Sequence, residues 1–295
     1  MTDTAPNFVD WLNARFIQQG AEVEFRHDGH SIAAHGFGVA LGSAFQPIIG
    51  AVSGRTLGWE GLVRPRNLAG QALPVAAFLD NFATGNEMAR VDRICRSLHL
   101  ANFVRAAPSD GYLFLNLHPR HLLSTRHHGE VFARIAEAAN VPPQRIVMEI
   151  LEHKTSDEAQ LAEAVKALKA RGFLIALDDF GQEGHSVHYD RLTALKPNIV
   201  KFDRSLIAGG NEARQYLLRR LVGAVHALGA TVVAEGVETD IEATMAREAG
   251  VDMLQGYLIG RPLGTLSEGR LPEGATAPVS SCASTHTYAH ISAMP

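Results

Sequence analysis

The sequence has only two cysteines, Cys95 and Cys282, and they lie far apart. They form no Cys-x-x-Cys pair, which argues against both a disulfide framework and a structural zinc site. An excess of positive charge is also missing, because 27 basic residues against 31 acidic residues give a formal net charge of −4. The chain is therefore not expected to recruit a nucleic-acid polymer or anionic lipid, and local cations must hold any anionic substrate.

Long apolar runs and targeting features are absent as well. Residues 1–6 lack the basic start and apolar core of a signal peptide. No apolar run approaches the roughly 20 residues that span a bilayer. Together with the reducing compartment that scarce cysteine suggests, these absences predict a cytoplasmic protein without membrane insertion.

The length leaves the number of domains open, because two domains of about 150 residues or one α/β barrel of about 250 residues would fit it equally well. Phe45–Pro262 alternates short β-rich apolar runs with helical segments, which favours consecutive βα units. Residues 1–40 are predicted to be a short N-terminal extension with an amphipathic stretch over Phe8–Ile17. Residues 266–295 are predicted to be a flexible tail. Helices are predicted over Gly85–Ala107, Glu130–Ala139, Ser156–Arg171, Asn211–Leu228 and Asp240–Ala249.

Seven apolar runs end in a carboxylate, an amide or a lysine. The residues at these ends are Glu60, Asn116, Glu149, Asp178, Asp179, Lys201, Asp203, Glu235 and Gln255. In a closed parallel barrel the carboxyl ends of the strands meet at one face, so these scattered residues would share one pocket. Several carboxylates cannot all stay ionised together without a counter-charge. An all-oxygen ligand set selects hard ions such as Mg²⁺, Mn²⁺ or Ca²⁺.

The adjacent acids Asp178 and Asp179 suggest two metals, since one carboxylate can bridge two ions while its neighbour serves only the second. Two ions about 3.5–4 Å apart stabilise the attacking and leaving oxygens of an in-line displacement at phosphorus. This pattern predicts phosphoester hydrolysis, with Lys201 orienting water or neutralising charge on the phosphoryl oxygens. Taken singly, each acid is more often a helix cap or a solvated loop residue, and Lys201 a structural ion-pair partner.

The segments around these residues resemble, in order, the motifs of EAL domains, bacterial phosphodiesterases that open cyclic di-GMP to linear pGpG. The resemblance covers about residues 41–265 and implies a modified (β/α)₈ TIM-like barrel with one antiparallel strand. The matching segments are Phe45–Ile48, Glu60–Arg64, Asn116–Leu117, Glu149–Glu152, Asp178–Gly181, Val200–Ser205, Ala234–Thr239, and Gln255–Tyr257 with Pro262.

The resemblance also implies a role for single positions. The first metal would be bound by Glu60, Asn116, Glu149 and Asp178. The second would be bound by Asp178, Asp179 and Glu235. Glu235 would also be the general base for a metal-activated water that attacks in line, and Lys201 would contact that water. Substrate would be bound by Gln46, Arg64 and Gln255, and the loop after the Asp pair would be braced by Glu152 and Glu238.

The implied cofactor is Mg²⁺ or Mn²⁺, with Ca²⁺ expected to inhibit. The implied partners are cyclic di-GMP, a second copy of the chain in a homodimer, and a regulatory protein. No nucleic-acid polymer is expected to bind.

The sequence departs from the family pattern in two places. Gly61 replaces the usual Ala beside Glu60, and the lost methyl group is expected to loosen packing slightly without removing charge. The loop over residues 180–189 lacks the usual Gly-Thr-Gly-Tyr-Ser-Ser-like continuation, and in the family this loop helps to order the second metal and the dimer contacts. A non-catalytic cyclic di-GMP receptor or protein-interaction scaffold is therefore the alternative hypothesis. Hydrolysis of another phosphodiester is a weaker third hypothesis.

Overall fold

The structure is a computed structural model that describes residues 7–20, 22–82, 84–108, 110–118, 129–151, 157–182, 189–209 and 212–271. Three of the sequence-based predictions fall outside these residues: the side chain of Glu152, residues 183–188 of the loop after the Asp pair, and the tail beyond residue 271.

Strands and helices alternate along most of the described chain. The strands are β1 (Val23–Asp28), β2 (Ser31–Gly36), β3 (Val39–Gly50), β4 (Thr56–Asn67), β5 (Tyr112–Asn116), β6 (Ile146–Leu151), β7 (Leu174–Phe180), β8 (Ile199–Phe202), β9 (Thr231–Ala234) and β10 (Met253–Gln255). The helices are α1 (Phe8–Gln18), α2 (Val75–Leu79), α3 (Gly85–Ala106), α4 (Glu130–Ala138), α5 (Glu158–Lys169), α6 (Tyr189–Leu195), α7 (Glu212–Ala227) and α8 (Asp240–Glu248).

The strands follow the order β1-β2-β3-β10-β9-β8-β7-β6-β5-β4, and β3 also pairs with β4, so the strands from β3 to β10 close on themselves. The pairs β5–β6, β7–β8, β8–β9 and β9–β10 are parallel, whereas β3 runs antiparallel to β10. The predicted modified (β/α)₈ barrel with one antiparallel strand is thus confirmed. The sequence did not predict the β1–β2 hairpin, which joins the sheet through an antiparallel pairing of β2 with β3.

The five predicted helices are α3, α4, α5, α7 and α8, and their ends lie within two residues of the predicted bounds. Side chains at their first turns explain where some of them begin. Thr84 and Glu87 form a reciprocal capping box at the start of α3, and Thr239 and Glu242 form another at the start of α8. Asp157 caps α5 by accepting a hydrogen bond from a backbone N–H. No described helix has both the length and the apolar character that crossing a membrane requires.

The described residues divide into two compact units. The first unit contains those of residues 1–46, 59–175 and 262–266, and the second those of 47–58, 176–261 and 267–295. In the first unit, α1 packs on β1 through Phe16 and Phe25, whose ring centroids are 5.3 Å apart and whose side chains are buried. In the second unit, β8 and β9 are buried along their whole length, as expected for parallel strands covered on both faces.

An ion pair in the second unit joins α7 to the residue before β10. His226 Nε2 lies 2.8 Å from Asp252 Oδ2, and the same oxygen accepts a hydrogen bond of 2.8 Å from the backbone N–H of Val232. The Asp252 side chain is 9% exposed, whereas that of His226 is 40% exposed. The hydrogen bond to Asp252 raises the pKa of His226 above its ordinary value.

We expect His226→Gln to lower the melting temperature more at about pH 5.5 than at about pH 9. A raised pKa in the folded state favours the imidazolium, so its contribution is fully present below the unfolded pKa and is lost as the pH rises through the folded pKa. Because His226 is partly exposed, the effect is about 1 kcal/mol or less. Thermal melts of both proteins at both pH values measure it, and an equal loss at the two pH values would contradict the assignment.

Candidate functional site

Three carboxylates and one ammonium group of the second unit form a compact cluster, named here the Lys201 cluster. It consists of Asp178, Asp179, Lys201 and Glu235. One carboxylate oxygen from each of the three acids lies within 4.8 Å of the others. The Nζ of Lys201 lies 2.9 Å from Asp178 Oδ1 and 2.7 Å from Glu235 Oε1, and its side chain is 1% exposed.

A bulge at the end of β7 allows two consecutive acids to serve one cluster. The pairing of β7 with β8 runs in register up to Leu177 opposite Val200 and then shifts, so that Phe180 lies opposite Phe202. Asp179 lies inside this bulge with a φ of 57°. In a regular strand, neighbouring side chains point to opposite faces, whereas a bulge and a left-handed residue can re-aim one of them. The left-handed conformation of a non-glycine residue costs on the order of 1 kcal/mol, and such strain is often found at functional sites.

Glu235 is held by a backbone hydrogen bond, and the chain directly after it passes close to Arg204. Its own N–H donates to the carbonyl of Phe202 over 3.0 Å. The next residue, Gly236, has a φ of 62°, and a Cβ there would lie 2.7 Å from the Cβ of Arg204. Arg204 in turn forms an ion pair of 2.7 Å with Glu238. Glu238 was predicted to brace the loop after the Asp pair, and its ion pair with Arg204 connects it to the turn after β8.

Gln255 and Gly256 pack against the same loop. The N–H of Val237 donates to the carbonyl of Gln255 over 3.0 Å, and the Gln255 side chain is buried. A Cβ at Gly256 would lie 2.1 Å from the carbonyl oxygen of Val237 and 2.3 Å from its nitrogen. Only glycine permits this close approach, which explains on steric grounds why a glycine follows Gln255.

A second group of predicted ligands lies in the first unit. Asn116 Nδ2 donates to Glu60 Oε1 over 3.0 Å. Asn116 ends β5 directly opposite Glu149 of β6, and the N–H of Leu117 donates to the Glu149 carbonyl. Glu60 is 8% exposed and Glu149 1% exposed, with both Glu149 carboxylate oxygens buried. The structure therefore brings Glu60 and Asn116 into contact and places Glu149 on the neighbouring strand end.

The predicted substrate residues Gln46 and Arg64 lie on β3 and β4 of the first unit, and both are half-buried. Arg64 Nη1 donates to the carbonyl of Val63 over 3.0 Å. Asp203 follows β8 and accepts a hydrogen bond of 2.8 Å from the N–H of Ser205. This contact gives Asp203 a structural role as the cap of a single 3₁₀ turn.

The expectation that Gly61 loosens packing is wrong, because a histidine fills the space. A Cβ at Gly61 would lie 2.9 Å from Cγ of His99 and 3.0 Å from its Cβ. His99 belongs to α3 and is 3% exposed. Burial, reinforced by the charge of Arg64, lowers the pKa of His99 to about 3, so the ring is neutral. His99 was not among the residues predicted from the sequence, although it lies in the predicted helix Gly85–Ala107.

A family model and several known proteins match this chain. The sequence model described as "EAL domain" matches residues 34–262. Among curated proteins, the chain is 30% identical to the probable cyclic di-GMP phosphodiesterase PdeN of Escherichia coli over 75% of the chain and 43% of that protein. The chain therefore spans less than half of the length of this relative.

Two solved structures are similar in fold. One is Klebsiella pneumoniae BlrP1 in complex with manganese and cyclic di-GMP, with a TM-score of 0.71, 23% identity, and coverage of 89% of this chain and 68% of that chain. The other is Bacillus subtilis YkuI, which has an EAL domain and was solved in complex with cyclic di-GMP and calcium. Its TM-score is 0.67 at 26% identity, with coverage of 78% of this chain and 57% of that chain.

We expect Gly256→Ala to destabilise the protein by about 3 kcal/mol, because the new methyl group would overlap the backbone of Val237. The matched control is Gly264→Ala, since a Cβ at Gly264 meets nothing within 4 Å. The control should change stability by less than about 0.5 kcal/mol. Urea denaturation measures both variants, and equal stabilities would show that the close approach at Gly256 is not required.

Proposed function

Since the chain belongs to the EAL domain family, we propose that it is a metal-dependent phosphodiesterase that hydrolyses cyclic di-GMP to linear pGpG. The observation that carries this proposal is the intact Lys201 cluster, with three acids within 4.8 Å of one another and a buried lysine between two of them. The relative PdeN and the YkuI complex with cyclic di-GMP support the choice of substrate.

The donor atoms fit divalent ions of the hard class, because every proposed ligand is a carboxylate or amide oxygen. By the family resemblance, the first ion would be held by Glu60, Asn116, Glu149 and Asp178, and the second by Asp178, Asp179 and Glu235. Such ions, Mg²⁺ or Mn²⁺, would stabilise charge at phosphorus and increase the acidity of water. The calcium in the YkuI complex supports the use of a divalent ion by that protein.

The hydrogen bond between Asn116 and Glu60 supports the assignment of the first ion. The amide nitrogen of Asn116 donates to Glu60 Oε1, which leaves the amide oxygen for a cation. The same hydrogen bond also fixes the orientation of the Glu60 carboxylate.

The chain's own residues supply the proton transfer and the substrate contacts. Glu235 accepts the proton of the attacking water, and Lys201 orients the Glu235 carboxylate through its contact of 2.7 Å. Arg64 and Gln46 bind the substrate, with the Arg64 guanidinium matching the oxygens of a phosphate. Gln255 contributes a buried amide to the substrate site.

We expect Glu235→Gln to lower kcat by about 10²- to 10⁴-fold, because the amide cannot accept the proton. The matched control is Glu163→Gln on α5, whose carboxylate is largely exposed, and it should retain wild-type turnover. Chromatography of the nucleotide products, with Mn²⁺ and with a chelator, measures the release of pGpG.

Wild-type protein that releases no pGpG in Mg²⁺ or Mn²⁺ would contradict the proposal. Tight binding of cyclic di-GMP in that experiment would identify a receptor, and absence of binding would point to a scaffold. Retained turnover in Glu235→Gln would remove Glu235 from the role of general base.

Three further predictions from the sequence accompany this proposal. They are a homodimer, a regulatory protein partner and a cytoplasmic location. Inhibition by Ca²⁺ is also predicted, and the same chromatographic assay with Ca²⁺ in place of Mn²⁺ checks it.

A further inference from the structure

The reverse face of β4 carries an arrangement that the proposed reaction does not explain. Side chains alternate between the two faces of a strand, so Glu60 and Arg64 share one face of β4 and Gly61 belongs to the other. His99 of α3 lies against Gly61, with its Cγ 2.9 Å and its Cδ2 3.2 Å from the place of a Cβ. The imidazole thus contacts the backbone directly behind two proposed functional side chains.

His99 also lies behind β3, on the face opposite Gln46. Its Nδ1 is 2.8 Å from Oγ of Ser43, and its ring lies edge-on to Phe45 with the centroids 6.3 Å apart. Ser43 and Phe45 share a strand face, and Gln46 belongs to the opposite face. One buried ring therefore supports both strands that carry the proposed substrate residues of the first unit.

The orientation of His99 is fixed by a chain of hydrogen bonds. Asn102 Oδ1 accepts from the N–H of Ile32 over 2.8 Å, which identifies the other amide atom as the nitrogen. That nitrogen donates to Ser43 Oγ over 3.1 Å. The Ser43 hydroxyl therefore links the Asn102 amide to Nδ1 of His99, which lies 2.8 Å from Ser43 Oγ.

We propose that His99 is a positioning residue that sets the placement of Glu60 and Arg64 through the backbone of β4. The inference rests on the proposed function, in which Glu60 binds a divalent ion and Arg64 binds phosphate. His99 and Gly61 are complementary in size, since the ring occupies the volume that a methyl group at Gly61 would need. Changing either residue alone should therefore displace the strand, and changing both to alanine should restore the packing.

The test uses His99→Ala, Gly61→Ala and the double variant. Mn²⁺ affinity is measured by calorimetry, and kcat and KM for cyclic di-GMP are measured where the wild-type protein turns over. Each single variant should bind Mn²⁺ about 10-fold more weakly, a typical effect for residues that orient metal ligands. The double variant should recover to within about 3-fold of wild type. The loss in kcat should follow the loss in Mn²⁺ affinity, and a displaced Arg64 should raise KM.

Leu168→Ala on α5 is the matched control, because Leu168 is buried in the same unit and the variant also leaves a cavity. It should lower the melting temperature without weakening Mn²⁺ binding. Single variants that lose only melting temperature would overturn the proposal, as would a double variant no better than the weaker single variant. Because Mn²⁺ binding is measured without substrate, these outcomes are separate from a wild-type protein that fails to hydrolyse cyclic di-GMP.

Discussion

The buried ammonium group of Lys201 is the constraint around which the second unit's site is arranged. Transferring an ammonium ion out of water costs several kcal/mol, and it is tolerated where carboxylates lie in direct contact. Asp178 and Glu235 meet this requirement at 2.9 and 2.7 Å. The dependence is mutual, because three acids with oxygens within 4.8 Å of one another need positive charge among them.

The backbone around the Lys201 cluster is shaped by the same requirement. The bulge in β7 and the left-handed conformation of Asp179 place two consecutive carboxylates where a regular strand would place one. Gly236 then turns the chain directly after Glu235, and Gly256 admits the carbonyl of Val237 at a distance that a Cβ would forbid. Glycine in these motifs therefore serves close packing next to the charged residues.

Sequence patterns predicted the features that depend on local chemistry. Helices α3 and α8 begin where Thr and Glu form capping boxes. The polar residues at the strand ends were the basis for both groups of proposed ligands. The β7 bulge was not predicted, because a register shift depends on the neighbouring strand. The contact of His99 with Gly61 was also missed, since it joins a helix to a strand that precedes it by many residues, and no local propensity reports such a pair.

The hairpin β1–β2 shows how far this non-local packing extends. The side-chain amide of Asn102 accepts a hydrogen bond of 2.8 Å from the N–H of Ile32 on β2 and donates one of 2.9 Å to the carbonyl of Ile32. The same amide nitrogen also donates to Ser43. Ser43 in turn contacts His99, which lies behind Gly61. The side chains of Asn102 and Ser43 therefore connect the hairpin to the ring that supports β4. Displacing the hairpin would remove both hydrogen bonds between the buried Asn102 amide and Ile32, at a cost of about 1–3 kcal/mol for each lost partner. The hairpin is thus part of the packing that holds the strand of Glu60.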